Sequence, residues 1–278
     1  MEVRIYSASK EYKLYKLIKE SLLGFKKGSY LARLFVLRGF KVKYKTSYVG
    51  FLWEIMPSLT TALVWIFLRE SGAVSSTAVY IPFPLFVIIG TIMWSLITDS
   101  INKPLGIFNE YSSIISKINI PKESLLLIGF YNILINYGIK LLLILFMLFF
   151  FQVVPTVSIF LFIPISVLTI ISFMCLGVLI MPFEYMLPDI GKVKNYFLMG
   201  LMYLTPVVYA NPGSGLVSTI IKWNPLTYII DGLRNSLTGE FVGLSFFIGM
   251  LLITIILFFI AVIVYRITVP IIVERIGS

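Results

Sequence analysis

Few residues in this 278-residue sequence could carry out acid–base or metal chemistry. The chain has no histidine, and its one cysteine, Cys175, lies within an apolar run, which excludes a Cys/His metal site and an internal disulfide. The aspartates Asp99, Asp189 and Asp231 lie far apart in sequence and form no set of facing acids and bases. No segment matches the phosphate-binding pattern G-x-x-x-x-G-K-[ST]. We therefore expect no metal, no enzyme activity and no ATP hydrolysis by this chain alone.

Three ionisable side chains within long apolar runs, Glu54, Asp99 and Lys140, are the only candidates for the groups that an ion-coupled carrier needs. Glu54 and Asp99 lie near the ends of their runs, and Asp99 could pair with Lys103 four residues later. Lys140 lies deeper in its run. Its ammonium could be paired with a neighbouring helix or snorkel, or it could face an aqueous path and meet phosphate or sugar hydroxyls. Both interpretations of Lys140 stay open.

The elements that must position these residues are membrane helices. Of the residues, 59% are hydrophobic and 13% charged, and the mean hydropathy is +0.96, which is more apolar surface than one soluble core could bury. Continuous apolar runs of about 20 residues indicate helices rather than a β-barrel. We predict an all-α membrane protein with six transmembrane helices, at residues 49–68, 83–101, 125–151, 157–183, 196–209 and 244–265.

The distribution of basic residues predicts how the spans face. Twelve of the 23 Lys and Arg residues precede the first span, and an even number of spans places both termini on one side. On this topology 19 basic residues are cytoplasmic, and only Arg69, Lys222 and Arg234 are external. We therefore expect a multi-pass protein of the cytoplasmic membrane with both termini cytoplasmic. Anionic membrane lipid accounts for the basic arm, so no nucleic acid is expected as a partner.

The predicted spans divide the chain into three parts. Residues 1–48 form a cytoplasmic basic arm, residues 49–266 a six-helix transmembrane domain, and residues 267–278 a cytoplasmic tail. Within the domain, residues of about 103–123 form a cytoplasmic segment. External residues of about 210–243 carry apolar clusters that Pro, Gly and Asn break into pieces too short to span, which predicts re-entrant or interfacial helices.

The basic arm has a helical pattern of its own. One stripe is basic and contains Arg38, Lys41 and Lys45. The other stripe is apolar and contains Val36, Leu37, Phe40 and Tyr44. This pattern predicts an amphipathic helix in the inner membrane interface. A plain lipid anchor is the alternative to a helix that transmits force to the first span.

Four segments in the same order resemble the permease subunits of ABC exporters for lipid-linked polysaccharides, the group that handles O-antigen, capsule and teichoic acid. No segment is highly specific by itself, but together they cover residues 43 to 240. They are KYKTSYVGFLWEIMP at residues 43–57, IISKINIP at 114–121, YLTPVVY at 203–209, and WNPL followed by GLR at 223–226 and 232–234. The chain departs from the family after span four, where an Arg-Asp pair is usual and this chain has Pro188 followed by Asp189.

The resemblance implies a homodimer of six-helix subunits that pairs with two copies of a separate ATP-binding subunit. That partner would bind ATP and Mg, and this chain would hold no cofactor. The resemblance also implies that residues 108–119 form a coupling helix that docks on the ATPase. The candidate coupling residues are Glu110, Tyr111, Ile114, Ile115 and Lys117. An ordinary connecting loop is the alternative.

Aromatic residues are the candidate contacts for a polysaccharide, since the C–H faces of sugar rings stack on aromatic rings. Tyr196 and Tyr203 share a helical stripe on the fifth predicted span, and Tyr209 follows at its outer end. With Trp53 and Lys140 they form the predicted substrate channel, although Tyr and Trp also favour packing and membrane interfaces. We predict a channel-forming subunit of an ATP-driven exporter of lipid-linked polysaccharide. The alternatives are an ATP-independent secondary transporter or lipid flippase, and a membrane scaffold.

Overall fold

A computed structural model of the chain describes residues 14–45, 50–72, 81–111, 114, 121–211, 214–239 and 243–277. Within these ranges the fold is all-α, with nine helices. They are α1 (Leu14–Lys45), α2 (Gly50–Glu70), α3 (Phe83–Glu110), α4 (Glu123–Phe150), α5 (Ile159–Met186), α6 (Pro188–Leu204), α7 (Gly215–Trp223), α8 (Pro225–Thr238) and α9 (Leu244–Gly277).

Five helices in the described part of the chain are long and apolar enough to cross a membrane, namely α2, α3, α4, α5 and the Leu244–Val273 part of α9. The predicted count of six spans is not confirmed. The fifth predicted span, residues 196–209, corresponds to α6, which has 17 residues. A helix of that length spans about 26 Å, which is short of the roughly 30 Å hydrocarbon core.

The sequence explains why α6 is short. Its first turns carry Asp189, Lys192 and Lys194, so the apolar part begins late. Its end is set by Pro206, because the residue before a proline is disfavoured in helical conformation. Thr205 is indeed extended, with φ −114° and ψ 139°.

Helix α3 lies at the centre of the bundle and packs against α2, α4, α5 and α8. It is the most buried of the five long helices, and its apolar residues contribute a large part of the main core. The packing of α5 on α3 is close because Gly177 has no side chain. A Cβ atom at Gly177 would overlap the backbone carbonyl of Ile101. Burial of apolar surface between these helices therefore depends on a small residue at the crossing point.

Helix α1 packs lengthwise on α4 and also contacts α9. Its buried face is lined by small residues and one valine, which are Ser21, Gly24, Gly28, Ala32 and Val36. Of the apolar stripe predicted for the arm, Val36 is buried, whereas Leu37 and Phe40 are exposed and nothing is described for the Tyr44 side chain. The helix also begins at Leu14, well before the predicted stripe. Helix α1 is therefore packed on protein through small residues.

Two short helices, α7 and α8, occupy the segment between α6 and α9 where the sequence predicted short helices. They meet at Asn224, whose side-chain oxygen accepts a hydrogen bond of 2.9 Å from the Leu226 amide and caps α8. Pro225 at the first position of α8 supports the same start. Helix α8 packs on α3 and α5, so this segment is held against the core of the bundle.

Candidate functional site

A buried arginine lies at the contact between α8 and α3. Arg234 is 1% exposed, and its Nη1 donates a 2.9 Å hydrogen bond to the Asp231 carboxylate. Its Nη2 lies 3.0 Å from the Val207 carbonyl oxygen and 3.3 Å from the Pro206 carbonyl oxygen. The guanidinium carbon lies 3.6 Å from the centroid of the Phe86 ring. The charge is thus balanced by a carboxylate, backbone oxygens and an aromatic face.

The Arg234 cluster requires close approach of the backbones. A Cβ atom at Gly90 would occupy the position of the Val207 carbonyl oxygen, so glycine is needed there. On the other side of the arginine, burial raises the pKa of the Asp231 carboxyl, and the Arg234 guanidinium opposes that rise. The cluster ties the irregular residues after α6 to α3 and α8.

A second set of hydrogen bonds holds the same irregular segment. The Asn224 side-chain amide donates to the Thr205 hydroxyl at 2.8 Å and to the Leu204 carbonyl at 3.3 Å. The Tyr209 hydroxyl donates to the Tyr203 carbonyl at 2.7 Å. These bonds satisfy carbonyl groups that the end of α6 leaves without helical partners. Residues 204–209 are therefore fixed from two sides, by Asn224 and by Arg234.

Lys140 pairs with a neighbouring helix, which is one of the two interpretations that the sequence left open. Its side chain is 9% exposed, and its ammonium lies 3.1 Å from the Asp99 carboxylate and 3.0 Å from the Ser95 hydroxyl. The predicted Asp99–Lys103 pair is replaced by this longer-range pair. The Asp99 side chain remains 51% exposed, so the carboxylate is the accessible member of this pair.

The candidate aromatic residues are exposed on two peripheral helices. Trp53 on α2 is 70% exposed, and Tyr196 and Tyr203 on α6 are 75% and 55% exposed. Helix α2 packs mainly on α3 and α4, whereas α6 packs on α5 and α7, so the fold does not bring Trp53 together with the tyrosines. Tyr209 is half-buried. The exposed aromatic faces are available for lipid, for polymer or for a second copy of the chain.

The predicted coupling segment, residues 108–119, overlaps the last residues of α3, which ends at Glu110. Glu110 is exposed, but Tyr111 is buried, and its ring packs edge-on against Phe35 of α1 with centroids 5.5 Å apart. Burial raises the pKa of the Tyr111 hydroxyl, and Glu110 adds to the rise. Ile114 is half-buried against a second core cluster, which includes Val36, Ile107 and Tyr265, whereas Ile115 and Lys117 lie outside the described residues. Tyr111 thus joins the segment to α1.

The three basic residues of the predicted stripe lie on the surface of the arm. Arg38, Lys41 and Lys45 are exposed on α1. Lys43 forms an ion pair with Glu54, which connects the end of α1 to the first turns of α2. In the described part of the chain, no three His, Cys, Asp or Glu residues come together as metal ligands.

The sequence of the chain is similar to those of two known proteins. No family model matches the chain. Two proteins from Klebsiella pneumoniae, both named O-antigen export system permease protein RfbA, are 25% and 26% identical to it over 223 residues. The similarity covers 76% of this chain and 83% of each relative. The chain is a distant relative of these permeases.

This relationship supports the permease family that the sequence motifs resembled, and it identifies the apolar helices as those of a multi-pass membrane protein. This permease-like chain has Pro188 and Asp189 where the resembled family usually has an Arg-Asp pair. Asp189 pairs at 2.9 Å with Lys192, and both side chains are exposed. A buried pair lies nearby, since Lys194 of α6 contacts Glu184 of α5 at 2.6 Å with side chains 9% and 12% exposed.

The buried Arg234 cluster and the Glu184–Lys194 pair of this permease-like chain were not predicted from its sequence. A signal for Arg234 was present, because it follows Ile230 by four residues and precedes Leu237 by three, which places it on the apolar stripe of α8. For Glu184 and Lys194 no such periodicity exists, because a break at Leu187 separates their helices. Gly191 lies beside Glu184, and a Cβ atom there would overlap its carboxylate.

Proposed function

We propose that this chain is the channel-forming transmembrane subunit of an ATP-driven exporter that moves a lipid-linked, O-antigen-like polysaccharide across the cytoplasmic membrane. The similarity to O-antigen export permeases over 76% of the chain carries this proposal. Five long apolar helices and a sequence without a phosphate-binding loop agree with a membrane subunit that depends on a separate motor. Capsule and teichoic acid polymers belong to the same substrate class.

The assembly contains two copies of this chain and two copies of a separate ATP-binding subunit that holds ATP and Mg. Helix α6 and residues 205–209 form a short fifth crossing in chain order, which brings the total to six and places both termini on the cytoplasmic side. The excess of basic residues in the arm supports this orientation. Helices α7 and α8 re-enter from the outer side, where Arg234 binds them to α3.

The substrate path lies along the exposed aromatic faces of α2 and α6. One copy keeps Trp53 apart from Tyr196 and Tyr203, so both faces reach the polymer only where a second copy closes the channel. Stacking of sugars on aromatic rings tolerates many sugar sequences, which suits a sliding polymer. Lys140 acts beside this path by holding the half-exposed Asp99 carboxylate.

Helix α3 couples the two ends of the subunit. It contains 28 residues and is therefore about 42 Å long. At its inner end, Tyr111 and Ile114 connect it to α1 and to the ATPase-docking segment. At its outer end, Phe86 and Gly90 contact Arg234 and the Val207 carbonyl. A displacement of the docking segment is transmitted along this rigid, buried helix to the residues that close the external side.

Affinity purification of the tagged chain from its native membranes tests the proposal. We expect a polypeptide with a phosphate-binding loop to co-purify, and we expect deletion of the chain to abolish surface polymer. Ile114→Asp should reduce both ATPase association and surface polymer, because burial of an unpaired carboxylate is costly. Ile114→Leu is the matched control and should retain both.

The tagged chain and the deletion also distinguish this exporter from a secondary transporter, a flippase or a scaffold. A secondary transporter or flippase would export polymer without a co-purifying ATPase, and collapse of the ion gradient would stop a gradient-driven carrier while ATP was still present. A scaffold would leave surface polymer unchanged on deletion. Either result would overturn the proposed function.

A further inference from the structure

An apolar groove of about 260 Å³ lies where α1, α4, α5 and α9 meet. Its wall contains Phe25 of α1, Leu126 and Leu127 of α4, and Ala261 and Val262 of α9. All the other lining residues are apolar too, apart from the Cys175 thiol. Such a groove offers no hydrogen-bonding group to a polar ligand, so its occupant must be hydrocarbon.

A charged cleft of about 400 Å³ is lined by α1, α4 and α9, three of the four helices that line the groove. Lys122, just before α4, and Glu123, the first residue of α4, precede Leu126 and Leu127 by four residues, and Arg266 of α9 follows Val262 by four. Four residues are about one helical turn, or roughly 6 Å along each helix. The polar cleft and the apolar groove are therefore successive levels of one wall.

The cleft is built around buried ionic contacts and has an excess of positive charge. Arg266 lies 2.6 Å from the Glu123 carboxylate, which is 4% exposed, and its Nε donates to the Ser21 hydroxyl at 2.9 Å. Glu20 is the cleft's second acid, and its carboxylate lies 3.5 Å from Arg266 Nη1. Lys27 and Lys122, also at the cleft, give three basic groups to two acidic ones. The shape and charge fit an amphiphile with an anionic head and a hydrocarbon tail.

We propose that this groove and cleft form a specific binding site for one anionic phospholipid. An acyl chain would lie in the groove, and the phosphate would lie against Lys27 and its basic neighbours. The lipid would thereby fill the joint between α1 and the bundle. The site is distinct from the aromatic faces proposed for the polymer, and its test measures lipid binding rather than export.

Native mass spectrometry of the full chain in detergent tests the site, with phosphatidylglycerol and phosphatidylcholine as the two probes. We expect saturable binding of phosphatidylglycerol and much weaker binding of phosphatidylcholine. Lys27→Gln should raise the Kd for phosphatidylglycerol about five-fold, since a basic residue near an anionic lipid contributes about 1 kcal/mol. Lys26→Gln is the matched control, because Lys26 is also exposed on α1 but does not line the cleft, and its Kd should stay unchanged.

A second pair of variants tests the acyl-chain groove. Leu127→Trp fills the groove and should abolish saturable binding, whereas Leu142→Trp places the same ring on the exposed face of α4 and should not. Equal lipid binding by these two variants, or equal affinity for the two phospholipids, would overturn the proposal. Full competition by inorganic phosphate would overturn it in favour of an anion site. A loss of dimer mass with Leu127→Trp would overturn it in favour of a contact between two copies.

Discussion

Arg234 is a charged side chain that the fold can bury because its partners are held in place by independent parts of the chain. Asp231 lies one turn away on α8, the Pro206 and Val207 carbonyls come from the segment after α6, and Phe86 comes from α3. Removing the guanidinium leaves the buried Pro206 and Val207 carbonyls without this donor. Such a loss costs more than the intact contact contributes.

We predict that Arg234→Met lowers the free energy of unfolding by about 2 kcal/mol, as an order of magnitude, because buried carbonyls lose their donor. The figure is below the usual loss for a broken buried pair because the Asp231 side chain is 44% exposed. Thermal unfolding in detergent measures the change. Arg69→Met is the control, since the half-buried Arg69 also lies over a ring, Phe83, at 4.2 Å. Equal stability of the two variants would contradict the prediction.

We also predict that Gly90→Ala destabilises the protein by about 1–3 kcal/mol, because the new methyl group would displace the Val207 carbonyl. Gly106→Ala is the control on the same helix, since nothing lies within 4 Å of a Cβ atom there. That control should be neutral or stabilising by about 0.5–1 kcal/mol, as expected for alanine in a helix. The same thermal measurement applies, and a neutral Gly90→Ala would show that the two backbones can separate freely.

At the scale of elements, the junction between α5 and α6 is fixed by an ion pair across a break in the helix. Glu184 and Lys194 are ten residues apart and nearly buried, whereas Asp189 and Lys192 are close in sequence and exposed. Exposed pairs are screened by solvent, and their coupling is small. A buried pair has few alternative partners, so each member depends on the other.

A double-mutant cycle should separate these two pairs. We predict a coupling energy of about 1–3 kcal/mol for Glu184→Gln with Lys194→Met, since contacting residues in a shielded pair are strongly non-additive. The cycle of Asp189→Asn with Lys192→Met should give about 0–0.5 kcal/mol. The free energy of unfolding of the single and double variants supplies both values. Additive losses at Glu184 and Lys194 would mean that the pair does not hold the junction.

At the scale of the whole molecule, α2 and α6 leave broad apolar faces uncovered in one copy of the chain. Most residues of α3 are buried inside the bundle, whereas few residues of α2 are buried. In α6, Gly191 and Leu198 are the buried residues. Uncovered faces of this kind suit lipid, a second copy and a transported molecule, and substitution of exposed residues can distinguish transport from folding.

We predict that replacing Tyr196, Tyr203 and Tyr209 together by Ala slows polymer export while leaving dimerisation and basal ATPase activity of the complex largely intact. Each lost stacking contact is worth about 0.5–1.5 kcal/mol, so single variants should be nearly silent. Surface polymer measured over time reports export. Phe in place of the three tyrosines should preserve most export, since stacking needs the ring and not the hydroxyl.

A matched control for the tyrosines uses three exposed rings on α4, which are Phe146, Phe149 and Phe150. Their replacement by Ala should leave export unchanged. Helix α4 packs on α2, but Phe146 and Phe150 line a groove with Leu59, Leu63 and Ile66 of α2 that does not include Trp53. Normal export by the triple tyrosine variant would show that these residues only pack or face lipid. Loss of export with the Phe substitutions would point instead to a hydroxyl contact such as that of Tyr209 with the Tyr203 carbonyl.

The sequence by itself determined the five long helices and the short ones between α6 and α9. In hydrocarbon no water is present to hydrogen-bond the backbone. A long apolar run therefore forms a helix, in which the backbone N–H and C=O groups bond to one another. The motifs within residues 43–234 pointed to the permease family, which the relatives support. The fifth predicted span, residues 196–209, was less predictable because Thr205 and Pro206 end α6 early.

Only the tertiary structure decided which charged groups meet. Lys140 could have faced water, but it pairs with Asp99, 41 residues away, because α4 packs on α3 at that level. Arg234 was counted as an external basic residue and is instead buried against the Val207 carbonyl, 27 residues away. Helical periodicity is local and tells which residues share a face. Which faces touch depends on how all the helices pack together. In this chain Gly90 lets α3 approach the Val207 carbonyl beside Arg234, and Gly177 lets α5 approach the backbone of α3 at Ile101.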